Sequence, residues 1–309
     1  MSRHQRMTVA VSVATVWTRP ESPRPLDEPA LRNPAGIREW LAGMTLDDKL
    51  DLCLANRVQT QILYGASVLA VEEAGDWVKV LIPQQTTRKE SLGYPGWVPR
   101  CQLVPETGSP AGPQRAEVVS DKAWLYANPN PAEALIELSY LTSLPVLKVT
   151  EEWVTVKTPE GVGYVKAGEI RLINGPLAPK PGESHIGRAI VEQGSRFLNL
   201  PYLWGGMSSF GYDCSGFAYN MHRYVGISIP RDASDQANQG ILVAKEQLEP
   251  GDLLFFAEEE GKGAVHHVGI YAGDNRMIHS PETIKSIEIV DLSSFHLAKE
   301  HCVSRRYWG

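Results

Sequence analysis

The alternation of apolar and polar positions near the start of the chain predicts a β-strand. Residues Met7–Val16 are mostly apolar, and Val9, Val11 and Val13 fall on alternate positions, which is the period of a strand rather than of a helix. Three polar residues interrupt the run, whereas a secretion signal has a continuous apolar core, so the segment favours a cytoplasmic protein over an exported one. No apolar stretch approaches the roughly 18 residues of a membrane-spanning helix, and no membrane association is expected.

Helix-capping signals predict two short helices within residues 26–55. Asn33 and Pro34 can cap and open a helix that runs through Leu41, because the first turn of a helix has no use for the N–H that proline lacks. Thr45 can cap a second helix over Leu46–Leu54, whose leucines recur at positions i, i+4 and i+8 of one helix face.

A weak internal repeat predicts two small β-barrels of similar plan. Short β-runs separated by turn residues occupy about residues 58–104. The order of Trp77–Val80 followed by Gly96–Val98 recurs as Trp153–Val156 followed by Gly163–Val165. A repeat of this kind indicates a duplicated unit of supersecondary structure.

Two linkers rich in proline, glycine and serine divide the chain into three predicted domains. The linkers are Pro105–Pro113 and Asn174–Ser184. They are predicted as linkers because their composition disfavours regular secondary structure. The predicted domains are residues 1–106, with a helical insertion at about 26–55, residues 116–174, and residues 185–309. The third block has about 125 residues, a usual size for one domain, and begins with a predicted helix over Ile186–Leu198.

Composition and charge narrow the possible functions. The 309 residues include 43% hydrophobic and 21% charged residues, and the formal net charge is −6, as in an ordinary globular protein. Binding to nucleic acid is not expected, because it requires a basic face for the phosphates. Four widely spaced cysteines include no CxxC pair. Zinc or dithiol redox chemistry is therefore not predicted, and neither a metal nor a cofactor is expected.

One cysteine stands at a predicted helix start, behind a glycine-rich loop. Gly205, Gly206 and Gly211 precede Cys214, and the apolar residues after it have the i, i+4, i+7 and i+8 spacing of a helix at Phe217, Met221, Tyr224 and Val225. A free thiol has a pKa near ~8.5, but the N–H groups and dipole at a helix N-terminus favour a thiolate. We therefore predict that Cys214 is a nucleophile. The other cysteines are predicted to be structural, namely Cys53, Cys101 and Cys302.

Two histidines are predicted to meet in a hairpin further along the chain. After a turn at Pro250–Asp252 and a buried strand, the next strand carries His267 on the same face as Gly269. If the following hairpin is centred on Gly273, His267 and His279 pair directly across it. His267 is then the predicted base, and His279 orients it, as the third group of a catalytic triad does. No catalytic role is predicted for His222, His266 and His301.

The motifs in the last block resemble the NlpC family of cell-wall peptidases. They are Pro201-Tyr-Leu-Trp-Gly-Gly, Asp213-Cys-Ser-Gly, Pro250-Gly-Asp-Leu and His267-Val-Gly-Ile-Tyr. The resemblance implies a papain-like α+β catalytic domain and a Cys–His–His triad in which Cys214, His267 and His279 take the three places. The two preceding repeats resemble bacterial SH3-like domains, which bind peptides or cell-wall material or serve as spacers.

Over its whole length the chain resembles the γ-D-glutamyl-L-diamino acid endopeptidases that recycle murein peptides. The resemblance implies cleavage of L-Ala-γ-D-Glu–diamino acid peptides that have a free N-terminal alanine. It places near the substrate Tyr202, Trp204, Asp213 and Ser215, together with Tyr94 in a loop of the first SH3-like domain. It also implies an acidic partner for the substrate ammonium shortly before Leu63-Tyr64-Gly65, where this chain has Gln59 and Gln61.

Two other functions are compatible with these residues. A Cys/His amidase or acyltransferase would use the same catalytic groups on a different substrate, and only product analysis separates it from a peptidase. A non-catalytic wall-binding protein would use the SH3-like domains, but it would have no reason to keep Cys214, His267 and His279 together. The sequence does not distinguish diaminopimelate from lysine in the substrate, and it does not determine the oligomeric state.

Overall fold

The computed structural model describes residues 4–106, 114–175 and 185–309, and these residues form two compact units. The first unit comprises the described residues up to 84, those from 92 to 175, and 208–210; the second comprises 85–91, 185–207 and 211–309. The predicted linkers Pro105–Pro113 and Asn174–Ser184 lie largely outside the described residues. The three domain boundaries given above stay predictions.

The first unit contains two β-sheets with the same strand order. The first sheet consists of β1 Gln5–Val9, β2 Val13–Trp17, β3 Val58–Leu63, β4 Ser67–Ala74, β5 Trp77–Ile82, β6 Tyr94–Pro99 and β7 Leu103–Pro105. The second consists of β8 Gln114–Val118, β9 Lys122–Tyr126, β10 Ala134–Ser139, β11 Ser143–Val149, β12 Trp153–Thr158, β13 Gly161–Lys166 and β14 Ile170–Asn174. The spatial order is β3-β2-β6-β5-β4-β1-β7 in one and β10-β9-β13-β12-β11-β8-β14 in the other. Each strand of the second sheet therefore corresponds to the strand seven places earlier, which confirms the predicted repeat.

The predicted first strand is in fact two strands. Val9 ends β1 and Val13 begins β2, with a bend between them, so the prediction of one strand over Met7–Val16 is wrong. β1 pairs with β4 and β7, whereas β2 pairs with β3 and β6. Every residue from Val9 to Trp17 is buried, and a continuous apolar pattern does not show where a strand breaks.

Three short helices lie between β2 and β3, namely α1 Glu28–Leu31, α2 Ile37–Gly43 and α3 Leu46–Leu54. The Thr45 cap of α3 is confirmed, because its hydroxyl accepts a hydrogen bond from the Asp48 N–H and the Asp48 carboxylate accepts one from the Thr45 N–H. The predicted helix start at Asn33-Pro34 is wrong, since α2 begins at Ile37. The Asn33 amide instead donates a hydrogen bond to the carbonyl of Cys101.

Tyr64 and an ion pair join the two sheets of the first unit. Tyr64 follows β3, and its ring is buried in the apolar core of the second sheet. Its hydroxyl donates a hydrogen bond to the Glu160 carboxylate, and burial, with help from Glu160, raises the pKa of that hydroxyl. Arg38 of α2 lies 2.7 Å from Glu137 of β10. The two repeats are therefore in direct contact.

The C-terminal part of the chain is built around a six-stranded antiparallel sheet. The helices in this part of the chain are α4 Ile186–Ser195, α5 Cys214–Tyr224, α6 Ala233–Gln236 and a short helical turn, α7 Glu258–Gly261. Its strands are β15 Met207–Ser208, β16 Gly211–Tyr212, β17 Ile241–Leu242, β18 Leu253–Ala257, β19 Val265–Gly273, β20 Arg276–His279, β21 Glu288–Asp291 and β22 His301–Arg306. β15 and β16 pair with each other, and the order in the larger sheet is β17-β22-β18-β19-β20-β21.

Helix α5 is more deeply buried than its sequence suggests. It packs against α4 and against β19 and β20, and each residue from Ser215 to His222 is buried. The predicted position of this helix is right, and its polar residues Ser215, Asn220 and His222 are buried along with the apolar ones. None of the helices in the three described ranges combines the length and the apolar character that a bilayer-spanning helix needs.

Two short segments pack with residues that are distant in the sequence. In segment 85–91, the Arg88 backbone N–H and guanidinium both donate hydrogen bonds to the Asp235 carboxylate. In segment 208–210, the hydroxyls of Ser209 and Ser139 lie 3.1 Å apart. Two cations lie over the ring of Phe210, Arg38 at 5.3 Å and Lys122 at 5.9 Å from its centroid. These are favourable cation–π contacts.

Candidate active site

The glycine-rich loop before α5 is packed against the first turn of that helix. Asp213 is the N-cap, and its carboxylate accepts a hydrogen bond of 2.6 Å from the Gly216 N–H. A Cβ at Gly216 would overlap the carbonyl oxygen of Gly206, and one at Gly206 would overlap that of Gly211. The close approach that these two glycines allow is thus between backbone segments. Cys214 is the first residue of α5, so the predicted helix start at this cysteine is confirmed.

A buried arginine that the sequence analysis missed binds the residues on both sides of Cys214. Arg231 is only 1% exposed, and its guanidinium donates hydrogen bonds to the Asp213 carboxylate at 2.6 Å and to the Ser215 hydroxyl at 2.9 Å. A buried charge is tolerated only with a partner, so Asp213 and Arg231 depend on each other. Nothing in the sequence singled out Arg231 among the 30 lysines and arginines.

The sulfur of Cys214 is directed at strand β19. The backbone N–H groups of Val268 and Ser215 point to it, and Val268 directly follows His267. Although Cys214 is partly accessible, burial raises the pKa of its thiol to about 12; the Asp213 carboxylate adds to the rise, while the two N–H groups oppose it. The N–H group at the helix start therefore favours a thiolate as predicted, but desolvation disfavours the charged form more strongly.

His267 and His279 contact each other, although not through the predicted pairing. Nε2 of His267 lies 2.8 Å from Nδ1 of His279. The hairpin turns at Asp274–Asn275, where both residues have positive φ, and not at Gly273. The resulting register places His279 opposite Gly269. A shift of two residues keeps a side chain on the same face of a sheet, so the direct pairing is wrong while the contact between the two rings is confirmed.

Both histidines are neutral in this environment. Burial lowers the pKa of His267 well below 6.5, and the neighbouring His279 lowers it further. Burial also lowers the pKa of His279 to about 3, with contributions from Lys285 and His296. Since Nε2 of His267 is bonded to His279, Nδ1 is the ring nitrogen of His267 that this contact does not occupy. A neutral thiol and a neutral imidazole can form the nucleophile by proton transfer at the moment of attack.

Comparisons with known proteins show the family to which the chain belongs. The NlpC/P60 family matches residues 199–306, and the YKFC SH3b2 domain matches residues 118–172. The chain is 45% identical over 300 residues to a γ-D-glutamyl-L-lysine dipeptidyl-peptidase of Bacillus subtilis, covering 97% of this chain and 98% of the relative. The chain belongs to the NlpC/P60 family.

Two further NlpC/P60 comparisons extend over nearly the whole chain. A γ-D-glutamyl-L-lysine dipeptidyl-peptidase of Bacillus cereus is 41% identical over 303 residues, covering 97% of this chain and 90% of the relative. The crystal structure of an NlpC/P60 family protein from Bacillus cereus matches with a TM-score of 0.91 and 38% identity, covering 98% of this chain and 100% of the other. This NlpC/P60 protein therefore has two SH3b-like β-domains before its catalytic domain, and it is a cysteine peptidase.

The predicted substrate residues of the NlpC/P60 domain lie in different settings. Tyr202 is buried and Trp204 is half-buried, both in the segment before β15. Asp213 and Ser215 are bonded to the buried arginine. Tyr94 begins β6 and is buried with the apolar core of the first sheet, so its predicted position in a loop is wrong. The role of all five in substrate binding stays a prediction.

The two glutamines that stand where an acidic residue was expected are engaged in hydrogen bonds. The Gln59 amide donates to Thr18 Oγ1 at 2.7 Å and to Asn56 Oδ1 at 2.9 Å. The amide oxygen of Gln61 accepts a hydrogen bond of 3.1 Å from the hydroxyl of Ser208. An amide oxygen can accept a hydrogen bond from an ammonium group but adds no negative charge.

The remaining cysteines and histidines have other surroundings. Cys53, Cys101 and Cys302 form no disulfide bonds. His266 lies 2.7 Å from the carboxylate of Glu300. His222 is buried in α5 with its Nδ1 at the carbonyl of Ala218, and His301 lies beside Ser304. That none of them takes part in catalysis stays a prediction.

The protonation state of Cys214 provides a test of the proposed chemistry. Since burial raises the pKa of this thiol to about 12, the ultraviolet absorbance of a thiolate should be absent between about pH 6 and 9. The measurement is the difference spectrum between the wild type and Cys214→Ser, with Cys302→Ser as the control. A titration step near neutral pH that Cys214→Ser removes would instead show a stable thiolate–imidazolium pair.

Proposed function

We propose that the enzyme hydrolyses the bond between the γ-carboxyl of D-glutamate and the L-diamino acid of murein peptides, with a preference for those that have a free N-terminal L-Ala. The observation that carries this proposal is the 45% identity to the γ-D-glutamyl-L-lysine dipeptidyl-peptidase of Bacillus subtilis over almost the full length of both chains. In this proposal the product from the amino end is the dipeptide L-Ala-D-Glu.

The proposed mechanism uses three side chains of the peptidase domain. Nδ1 of His267 takes the proton of Cys214 while Sγ attacks the γ-carbonyl carbon of D-glutamate, giving a tetrahedral intermediate. His267 then returns the proton to the departing amine of the diamino acid, and the C–N bond breaks to leave a thioester. Water, deprotonated by His267, hydrolyses the thioester and restores the thiol. His279 holds the imidazole of His267 through the Nε2–Nδ1 contact of 2.8 Å.

The remaining parts of the proposal concern the surroundings of the triad. We retain a papain-like α+β fold for the catalytic domain, which is supported by a cysteine at the start of a buried helix that packs on an antiparallel sheet. Tyr94, Tyr202, Trp204, Asp213 and Ser215 are proposed to contact the peptide. Recycling of peptides already released from murein would place the enzyme in the cytoplasm.

A comparison of two tripeptides tests the proposed specificity. The enzyme is expected to cleave L-Ala-γ-D-Glu-L-Lys or its diaminopimelate counterpart, and kcat/KM should fall about 100-fold when the alanine is N-acetylated. A hydrogen bond to a charged group contributes about 1.5–3 kcal/mol, which corresponds to a loss of this size. The products are identified by mass spectrometry.

The same assay separates the proposal from its alternatives. Release of L-Ala-D-Glu and the free diamino acid supports the peptidase, whereas cleavage between sugar and alanine would identify an amidase. Intact sacculi are the control substrate, since their alanine is still joined to sugar. Equal rates on sacculi and on free tripeptide would contradict the requirement for a free amino terminus.

A further inference from the structure

The outer ring nitrogen of His279 is buried and, among the described residues, has no hydrogen-bond partner. Nδ1 of His279 is taken by His267, but its Nε2 is unpaired. The side chain is 1% exposed, so bulk water does not readily replace a partner. Unsatisfied buried polar atoms are rare in proteins, and this one lies in the proposed triad.

A carboxylate faces this nitrogen from the neighbouring strand. β20 pairs with β21 so that His279 lies directly opposite Glu288, and side chains that are directly opposite share one face of the sheet. Oε1 of Glu288 is 3.7 Å from Nε2 of His279, slightly beyond a hydrogen bond. The Glu288 side chain is 44% exposed and its terminal torsion is soft, so a small rotation closes the gap.

The other titratable groups around His279 keep it neutral. Lys285 and His296 lower its pKa, in addition to burial, and its ring partner His267 is itself uncharged. A neutral imidazole carries one proton, on either Nδ1 or Nε2. The group that Glu288 meets is therefore decided by the tautomer of His279.

Only one tautomer of His279 is compatible with a basic Nδ1 on His267. If His267 is to accept the Cys214 proton at Nδ1, its own proton lies on Nε2 and is donated to Nδ1 of His279. The proton of His279 is then on Nε2. In the opposite tautomer, His279 donates from Nδ1 and His267 is protonated at Nδ1, where it has no lone pair for the thiol. A carboxylate beside Nε2 of His279 can accept a hydrogen bond from an N–H there but repels a lone pair, so it stabilises the first arrangement.

We propose that Glu288 is a positioning residue, which selects the Nε2-protonated tautomer of His279 and thereby keeps Nδ1 of His267 available to Cys214. The inference rests on the proposed roles of Cys214 and His267. Glu288 does not touch the substrate in this account, and it exchanges no proton during the reaction. Its effect passes through two hydrogen bonds to the base.

Kinetics of Glu288 variants in the full-length protein test the proposal, with L-Ala-γ-D-Glu-L-Lys as the substrate. Glu288→Ala removes the acceptor and is expected to lower kcat about 10-fold with KM unchanged. Glu288→Gln keeps an oxygen that can accept the Nε2–H, and its kcat should stay within about threefold of the wild type. Glu246→Ala removes an exposed carboxylate from a short 3-10 helix and serves as the control with unchanged kcat.

A second measurement reads the tautomer directly and needs no substrate. Nitrogen chemical shifts of the His279 ring should show protonation at Nε2 in the wild type and in Glu288→Gln, and a mixture of tautomers in Glu288→Ala. A wild-type kcat in Glu288→Ala, or protonation of His279 at Nδ1 in the wild type, would overturn the inference. Activity that survives Cys214→Ala would instead overturn the proposed function, so the two failures are distinguishable.

Discussion

Replacing Cys214 with alanine is expected to lower kcat by about 10⁴-fold or more, because no thioester can form without the sulfur. The thiol stands at the start of α5, where the backbone N–H groups of Val268 and Ser215 are directed at it. Neither N–H depends on the side chain that is removed. The variant should therefore retain its fold, and circular dichroism and thermal unfolding are expected to match the wild type.

Replacing the other thiols provides the matched controls for Cys214→Ala. Cys101 is exposed and Cys302 is half-buried, and both are free thiols. Cys101→Ala and Cys302→Ala are expected to keep kcat near the wild-type value. Near-normal turnover by Cys214→Ala, or a loss of turnover on replacing Cys101, would contradict the assignment of the nucleophile.

Replacing His267 with alanine is expected to cost about as much as replacing Cys214. The pKa of the thiol is about 12, so the free enzyme holds little thiolate at neutral pH and needs a base to form it. His267 also returns the proton to the leaving amine, so one substitution removes two steps of catalysis. The measurement is kcat on the tripeptide, and residual activity above about 1% of wild type would argue against a single essential base.

His279→Gln is expected to show an intermediate loss of about 10- to 100-fold in kcat. His279 does not meet the substrate in this account, since its contact with the triad is the bond of 2.8 Å from its Nδ1 to His267. A glutamine oxygen can accept the same proton, although its position is less well defined. His279→Ala, which offers no acceptor, should be more severely impaired, and equal inactivation by all three histidine variants would contradict this division of roles.

The elements that could be predicted were those whose signals are local. Thr45 and Asp48 lie within one turn of each other, and so the cap of α3 was readable. The same holds for Asp213 and the start of α5. Asn33 has equally good capping chemistry but is bonded to the Cys101 carbonyl, a partner far along the chain. A local signal therefore fails when contacts with distant residues hold the side chain in another arrangement.

The hairpin between the two histidines shows how far periodicity extends. Because side chains alternate with a period of two along a strand, His267 and His279 lie on one face of the sheet if the predicted and actual registers differ by an even number of residues. The actual turn at Asp274–Asn275 shifted the register by two residues, and the rings still met. Gly273, Asp274 and Asn275 all have positive φ, so the sequence left open which of these residues form the turn.

The sequence by itself determined the repeat of two β-units and the helix start at Cys214, and it gave the residues of the proposed triad, since these follow from residue periods and short motifs. Only the tertiary structure decided the electrostatics. Arg231 reached Asp213 across 18 residues of chain, Glu288 came opposite His279 through the pairing of β20 with β21, and burial reversed the expected shift of the Cys214 pKa. Desolvation and charge pairing depend on all the groups that surround a residue in space. Many of those groups are distant in the sequence, so the local sequence does not show them.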